Sequence, residues 1–266
     1  MRSAHGFALI AVLWMLTALS GIVGVAVGAA RLGQQTSVNR LTLTRGRWAA
    51  EACLAIAQAR WWMAHRLVDA DTEDLGRGAR CAWEVADPAA LINVNTVEPE
   101  ILAMAVCRGN RSACALDSLL HLRETGPITD LAQVASVTGL DSSALAVLTL
   151  DGLGSINANA ASPAVLLDLP GLMPEAVARL ADRRRAGRPI ASVAALAEEL
   201  SPAARASLLA HYADLVRQLV FAPPLLRLTA RGWVDGFGGS AGLHATIEVL
   251  VVPLPARLAI VRQRLW

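Results

Sequence analysis

Between Phe7 and Ala30 run 24 residues without one charged side chain, preceded by Met1-Arg-Ser-Ala-His-Gly6 and followed by Arg31. That is the length a helix needs to cross about 30 Å of hydrocarbon. A secretory signal has a shorter apolar core and ends at a small-residue cleavage site. This run is longer and passes without a turn signal into further helical sequence, so it reads as retained. Beyond Arg31 the residues Leu41, Trp48, Ala52, Ile56, Ala59, Met63 and Leu67 recur at helical spacings, and no proline occurs before Pro88. The pattern predicts one helix from Phe7 to about Leu67, its first half in lipid and its second half laying an apolar stripe on a domain.

Composition agrees with a membrane segment: 55% of the 266 residues are hydrophobic, and the mean hydropathy is +0.45. The formal net charge is +2, and the basic residues are all arginine, spread along the chain. Charge therefore offers no electrostatic case for nucleic acid. Cys53, Cys81, Cys107 and Cys114 are too few for a disulfide scaffold and form no C-x-x-C pair. Cys107 and Cys114 bracket a polar loop, which suits a short disulfide in an oxidising compartment and equally suits two buried free thiols.

The segment Gly6-Phe7-Ala8-Leu9-Ile10, a short basic leader ending in glycine before phenylalanine and an apolar helix, resembles the class III signal of type IV pilins and type II secretion pseudopilins. The resemblance implies cleavage by a prepilin peptidase between Gly6 and Phe7 and methylation of the new amine of Phe7. The usual glutamate at the fifth mature position is replaced by Ala11. In ordinary subunits that carboxylate pairs with a neighbour's terminal amine, and its loss among pseudopilins marks the K-type minor subunit at the tip. Arg31, Arg40, Arg45 and Arg47 on the far side of the apolar run outnumber Arg2 and the amine on the near side, so the positive-inside rule alone favours the opposite orientation. The leader overrules it, because an enzyme reads the leader.

Further on, Ile92-Asn93-Val-Asn95 with Pro99 returns 64 residues later as Ile156-Asn157-Ala-Asn159 with Pro163. Arg123-Glu-Thr-Gly-Pro-Ile-Thr-Asp130 is echoed by Arg185-Ala-Gly-Arg-Pro-Ile-Ala-Ser192. Two copies of one helical unit are the simplest reading. In each copy a polar residue, Thr96 or Ser162, precedes a proline and a helix-forming run, as at a capped helix start. The second copy continues through Leu169-Pro170-Gly171-Leu-Met-Pro174, which resembles the turn of a helix-hairpin-helix module, and paired modules after I-N-x-N are typical of K-type pseudopilins. Such modules often hold nucleic-acid backbone through a G-x-G hairpin. Here Met173 replaces the second glycine, and Ala105-Val-Cys-Arg-Gly109 in the first copy has lost the pattern. A membrane-tethered DNA-binding or uptake protein is the competing class, with Arg183, Arg184, Arg185 and Arg188 as its cations; a solvated helix face is the commoner use of such a run.

Strands bracket the repeats. Arg80–Val85 alternates, and Leu225–Val234, Leu243–Val252 and Arg257–Trp266 follow, separated by the glycine-rich stretch 235–242 and by Pro253 to Pro255. The expected fold class is α+β: a pilin-like long N-terminal helix with a small antiparallel sheet, interrupted by a helical domain of two degenerate helix-hairpin-helix-like (SAM-like) repeats. The parts are a leader (1–6), a transmembrane half-helix (7–30), the exported helix and first strand (31–92), the inserted α-domain (93–222) and the last strands (223–266).

A search for chemistry finds little. Gly238-Gly-Ser240-Ala-Gly242 fits G-x-S-x-G, but His244 follows at once and no aspartate comes after it, the wrong order for a hydrolase triad. A hairpin turn explains those glycines. His5, His65, His121 and His211 show no ligand spacing. Asp69, Asp71, Glu73 and Asp74 could offer hard oxygens, and the resemblance implies that calcium can be carried, but EF-hand spacing is absent and a solvated acidic loop is the plainer reading. No cofactor is required. Trp48, Trp61 and Trp62 suit core packing or contact with a partner. The reading is a non-catalytic minor pseudopilin that initiates or caps a type II secretion pseudopilus exporting folded proteins across the outer membrane. The resemblance implies I-type and J-type minor pseudopilins, the major pseudopilin and prepilin peptidase as partners, a single-pass inner-membrane position with the bulk periplasmic, and no nucleic acid.

Overall fold

The computed structural model describes residues 4–64, 70–107, 115–234, 244–255 and 257–266. Helix α1 (Ala4–Ala64) is 61 residues long, about 90 Å at 1.5 Å per residue. It has no proline to break it. Two strands follow, β1 (Ala70–Gly76) and β2 (Ala79–Ala86), paired antiparallel around Arg77-Gly78. The acidic run read as a solvated loop is therefore partly a strand. Asp71 and Glu73 alternate with Thr72 and Asp74 along β1, and Leu75 alone on their face is apolar and packs on the core, too little to leave a hydrophobic signature.

The chain then leaves the sheet. A 3-10 turn (Pro88–Ala90) leads into β3 (Ile92–Asn93), α2 (Pro99–Val106), α3 (Leu116–Thr125), α4 (Leu131–Thr138), α5 (Ser142–Leu145) and β4 (Leu148–Thr149). The second copy runs through β5 (Ile156–Asn157), α6 (Pro163–Leu167), α7 (Pro174–Arg185), α8 (Val193–Glu198), α9 (Pro202–Ala210), α10 (Tyr212–Gln218) and β6 (Leu219–Val220). The sheet resumes with β7 (Leu226–Val234), β8 (His244–Leu254) and β9 (Arg257–Leu265), giving the order β1-β2-β7-β8-β9 with every neighbour antiparallel. An α-domain is thus inserted between two adjacent strands of one sheet.

Two cores result. One joins α1 to the sheet through Ala49, Ala50, Cys53, Ala57, Trp83, Leu228, Ile247 and Val249. The other runs unbroken through both helical copies, from Ile92 to Leu219. The copies close alike: β3 pairs parallel with β4, and β5 pairs parallel with β6. Each I-N step is therefore a short strand held by the end of its own copy. Capping differs. Ser162 caps α6 by accepting from the Val165 amide, whereas in the first copy the cap position falls to Glu98, not Thr96, and carries no side-chain cap bond.

Candidate assembly site

Among the described residues, the first half of α1 packs against no other element of the chain. An 18-residue window of it reaches a mean hydropathy of 2.3 with none of its residues buried. Leu9, Leu13, Trp14, Met15, Ile22 and Val25 are each more than half exposed. Apolar exposure on this scale demands lipid or packed helices. No acidic residue occurs before Glu51. Gly6 and Phe7 lie in the first turns of this helix. Gly21, Gly24 and Gly28 have nothing within 4 Å of an added Cβ, so these small positions face open space.

From Thr42 onward the helix lies on the sheet, and its buried face differs from the expected one. Thr42, Gly46, Ala49, Ala50, Cys53, Leu54 and Ala57 are buried, while Leu41, Trp48 and Met63 from the predicted stripe are exposed. The reason is close approach. A Cβ on Gly232 of β7 would lie 2.1 Å from the Gly46 carbonyl oxygen and 2.3 Å from the Ala50 nitrogen. Backbones this close admit only small residues, so the large apolar side chains are turned outward. Docking is completed by a Cys53–Cys81 disulfide, Cα to Cα 6.0 Å, and by Trp61, whose Nε1 donates to the Leu254 carbonyl at 2.9 Å. Arg60 ion-pairs with Asp71 and Glu73 and stacks 4.8 Å from the Trp83 ring centroid. The backbone amide of Thr72 and then Arg60 hold the Asp71 carboxyl below its ordinary pKa.

The I-N-x-N residues prove to be brackets. The Asn93 and Asn157 side-chain oxygens accept from the amides of Asn95 (2.8 Å) and Asn159 (3.0 Å), closing the same turn in both copies. Asn95 then exchanges two hydrogen bonds with the Ile128 backbone, 2.8 and 2.9 Å, and Asn159 does the same with Ile190, 3.0 and 2.7 Å. The two echoed motifs of each copy therefore meet in space. Arg123 donates to the Val97 carbonyl, and its counterpart is Arg184, which donates to Ala161, one residue before the Arg185 that the echoed motif pairs with Arg123. Pro170 and Gly171 form the turn between α6 and α7. Gly171 has φ +86°, and an added Cβ would lie 2.7 Å from the His211 Cβ, so this turn is packed against the α9–α10 junction.

Asp87 and Asp151 stand five residues before Ile92 and Ile156 respectively, so they are equivalent positions of the repeat. Asp151 is buried and takes Arg262 at 2.5 Å and Arg227 at 2.6 Å, fastening the α-domain to β7 and β9. Burial alone would raise its pKa, but the hydrogen bonds and charges of Arg262 and Arg227 outweigh it and hold the carboxyl below its usual value. Asp87 accepts from Asn157 at 2.6 Å and from the Ala89 amide, and burial pushes its carboxyl up. Gln218 donates to Glu98 at 2.7 Å across the two copies. Sequence reading missed this pair of aspartates, although their shared offset from I-N-x-N was there to be seen.

The remaining candidates are dispersed. Cys107 is disulfide-bonded; Cys114 lies outside the described residues, as do Asp69 and Ser240. The Cys53–Cys81 bridge was not anticipated. Asp74 accepts from the Gly76 amide, and Asp71 and Glu73 are engaged by Arg60. Among the described residues no group of three His, Cys, Asp or Glu side chains is placed to hold a metal ion. Of the arginines near α7, Arg183 pairs with Glu199 at 3.0 Å, Arg184 with a carbonyl and Arg185 with Asp182. These cations are spent within the fold.

A long helix laid on an antiparallel sheet, with an α-domain between two of its strands, defines a pseudopilin-type fold. A chain in the crystal structure of the GspK-GspI-GspJ complex from the enterotoxigenic Escherichia coli type 2 secretion system superposes with a TM-score of 0.63 at 13% identity, covering 84% of this chain and 96% of that one. The fold is thus that of a GspK-like minor pseudopilin. No protein-family model matches the sequence, and no curated protein matches it.

Proposed function

We propose that this chain is a minor pseudopilin at the tip of a type II secretion pseudopilus, where it initiates or caps assembly through binding alone. The observation that carries the reading is the superposition over 96% of a chain from a GspK-GspI-GspJ complex, joined to an exposed apolar half-helix that its own domain leaves uncovered. Prepilin peptidase would cut after Gly6, and the bulk of the chain would sit in the periplasm. The Cys53–Cys81 bridge supports an oxidising compartment. The lack of any acidic residue before Glu51 supports a subunit with no amine to pair above it. The apolar helix rests in the inner membrane and then exchanges lipid for sister helices, with Gly21, Gly24 and Gly28 as open close-contact points.

Co-expression of the full chain with I-type and J-type minor pseudopilins from the same cell tests this. A stoichiometric ternary complex in detergent is expected. Recovery of the chain alone, with the other two paired without it, would contradict the proposal.

A further inference from the structure

The sheet has two edges, and they are finished differently. β1 is short, carries Asp71, Glu73 and Asp74, and shifts register between Asp74 and Gly76. Charge, shortness and irregularity are the usual means of keeping an edge from pairing. β9 has nine residues, and among the described residues no strand lies beyond it. On and just past it Ile260 is 48% exposed, Val261 64%, Leu265 49% and Trp266 71%.

Register sorts the side chains of β9 onto two faces. Ile260 and Leu265 oppose Val251 and Ile247, which belong to the core under α1, so together with buried Leu258 they line the helix side. Arg262 and Arg264 oppose Leu250 and Glu248 on the other side, and Arg257, adjacent to Leu258, joins them. Val261 absorbs the irregularity between Leu250 and Val251. Trp266 and Thr246 exchange both backbone hydrogen bonds. In an antiparallel ladder the pairs alternate, so the N–H and C=O of Gln263 and Leu265 point outward, away from β8.

We infer that β9 is a docking edge that takes an extended segment of another protein as a sixth strand, one in which apolar and carboxylate side chains alternate. The apolar side chains would lie beside Ile260 and Leu265, and the carboxylates beside the arginines. Charge selects this occupant. Arg227, Arg262 and Arg264 share Asp151 and Glu248, and Arg257 adds a further cation, while β9 itself has no acidic residue. A second copy fits poorly by either of its edges. Antiparallel β9 on β9 sets arginines against arginines. β1 brings Asp71 and Glu73, but both carboxylates are already ion-paired with Arg60 of their own copy. The inference stands on the sheet alone and does not depend on the secretion reading.

The test uses the full chain in detergent micelles with a synthetic eight-residue peptide alternating valine and glutamate, and a valine–lysine peptide as control. Hydrogen exchange at the Gln263 and Leu265 amides should slow with the glutamate peptide and stay unchanged with the lysine one. Gln263→Pro removes one outward donor and should weaken binding about fivefold, the equivalent of one hydrogen bond. If that variant loses the protection of β8 and so misfolds, the double charge reversal Arg257→Glu with Arg264→Glu decides: it should lower affinity for the glutamate peptide at least about tenfold and favour the lysine one. Equal binding of both peptides, no protection at millimolar peptide, or protection of the same amides by self-association without peptide would each overturn the inference.

Discussion

The two halves of α1 share one continuous backbone, yet one leaves its large apolar side chains uncovered while the other buries a face of small residues. Between Leu9 and Val27 large apolar side chains are exposed all round, and the glycines among them touch nothing. Between Thr42 and Ala57 the buried face is made almost wholly of glycine, alanine and cysteine, while Trp48 is 66% exposed. What separates them is the nature of the neighbour. A sheet whose own Gly232 meets the helix backbone accepts only small residues, whereas lipid or a bundle of sister helices accepts large ones. The outward side chains of the docked half are then left for contacts outside the chain.

The strongest way to break this contrast is to cut the covalent tie of the docked half. Cys53→Ser with Cys81→Ser opens a loop spanning a sequence separation of 28 and should cost about 3 kcal/mol in urea unfolding of the sheet domain. Next comes one substitution placed on each half. Gly46→Val forces its side chain onto the Gly232 carbonyl, 2.9 Å from an ideal Cβ, and should cost about 2–3 kcal/mol. A smaller effect is expected at the α-domain junction, which is fastened by charge instead of close packing. Asp151→Asn should cost about 2 kcal/mol, less than a fully buried pair because Arg262 is 35% exposed. Because the folded-state pKa of Asp151 is lowered, its contribution is fully present above the ordinary carboxylate pKa. It is lost as the pH falls through the lowered value, so the variant should lack that acid-limb loss in a stability–pH series. Smallest of all, Gly24→Val, with nothing within 4 Å, and Trp48→Ala should each leave unfolding of the sheet domain within about 0.5 kcal/mol of the parent. A large loss from either would erase the distinction between the halves.

Much of this fold was legible in the sequence because its signals are periodic. The long helix, predicted from Phe7 to about Leu67, spans Ala4–Ala64; the strand read at Arg80–Val85 is Ala79–Ala86; and the three later strands fall within a few residues of expectation. β1 escaped because its inward row is Asp71, Glu73 and Leu75, and one apolar residue among carboxylates does not betray burial. The buried stripe on α1 departs from the one hydrophobicity predicts, because backbone proximity to Gly232 decides which residues face the sheet. I-N-x-N was visible as a repeat, but its meaning was not: that Asn95 and Asn159 clasp Ile128 and Ile190 depends on chain separations of 33 and 31 residues that no local pattern encodes. The Cys53–Cys81 bridge is hidden for the same reason, since it joins a helix face to a strand.

Processing of the N-terminus tests the central claim most directly, and intact mass of the chain isolated from its native cells measures it. A mature protein beginning at a methylated Phe7, with a Gly6→Ala variant that keeps residues 1–6, is the expected result. A native chain that retains its first six residues would contradict the account.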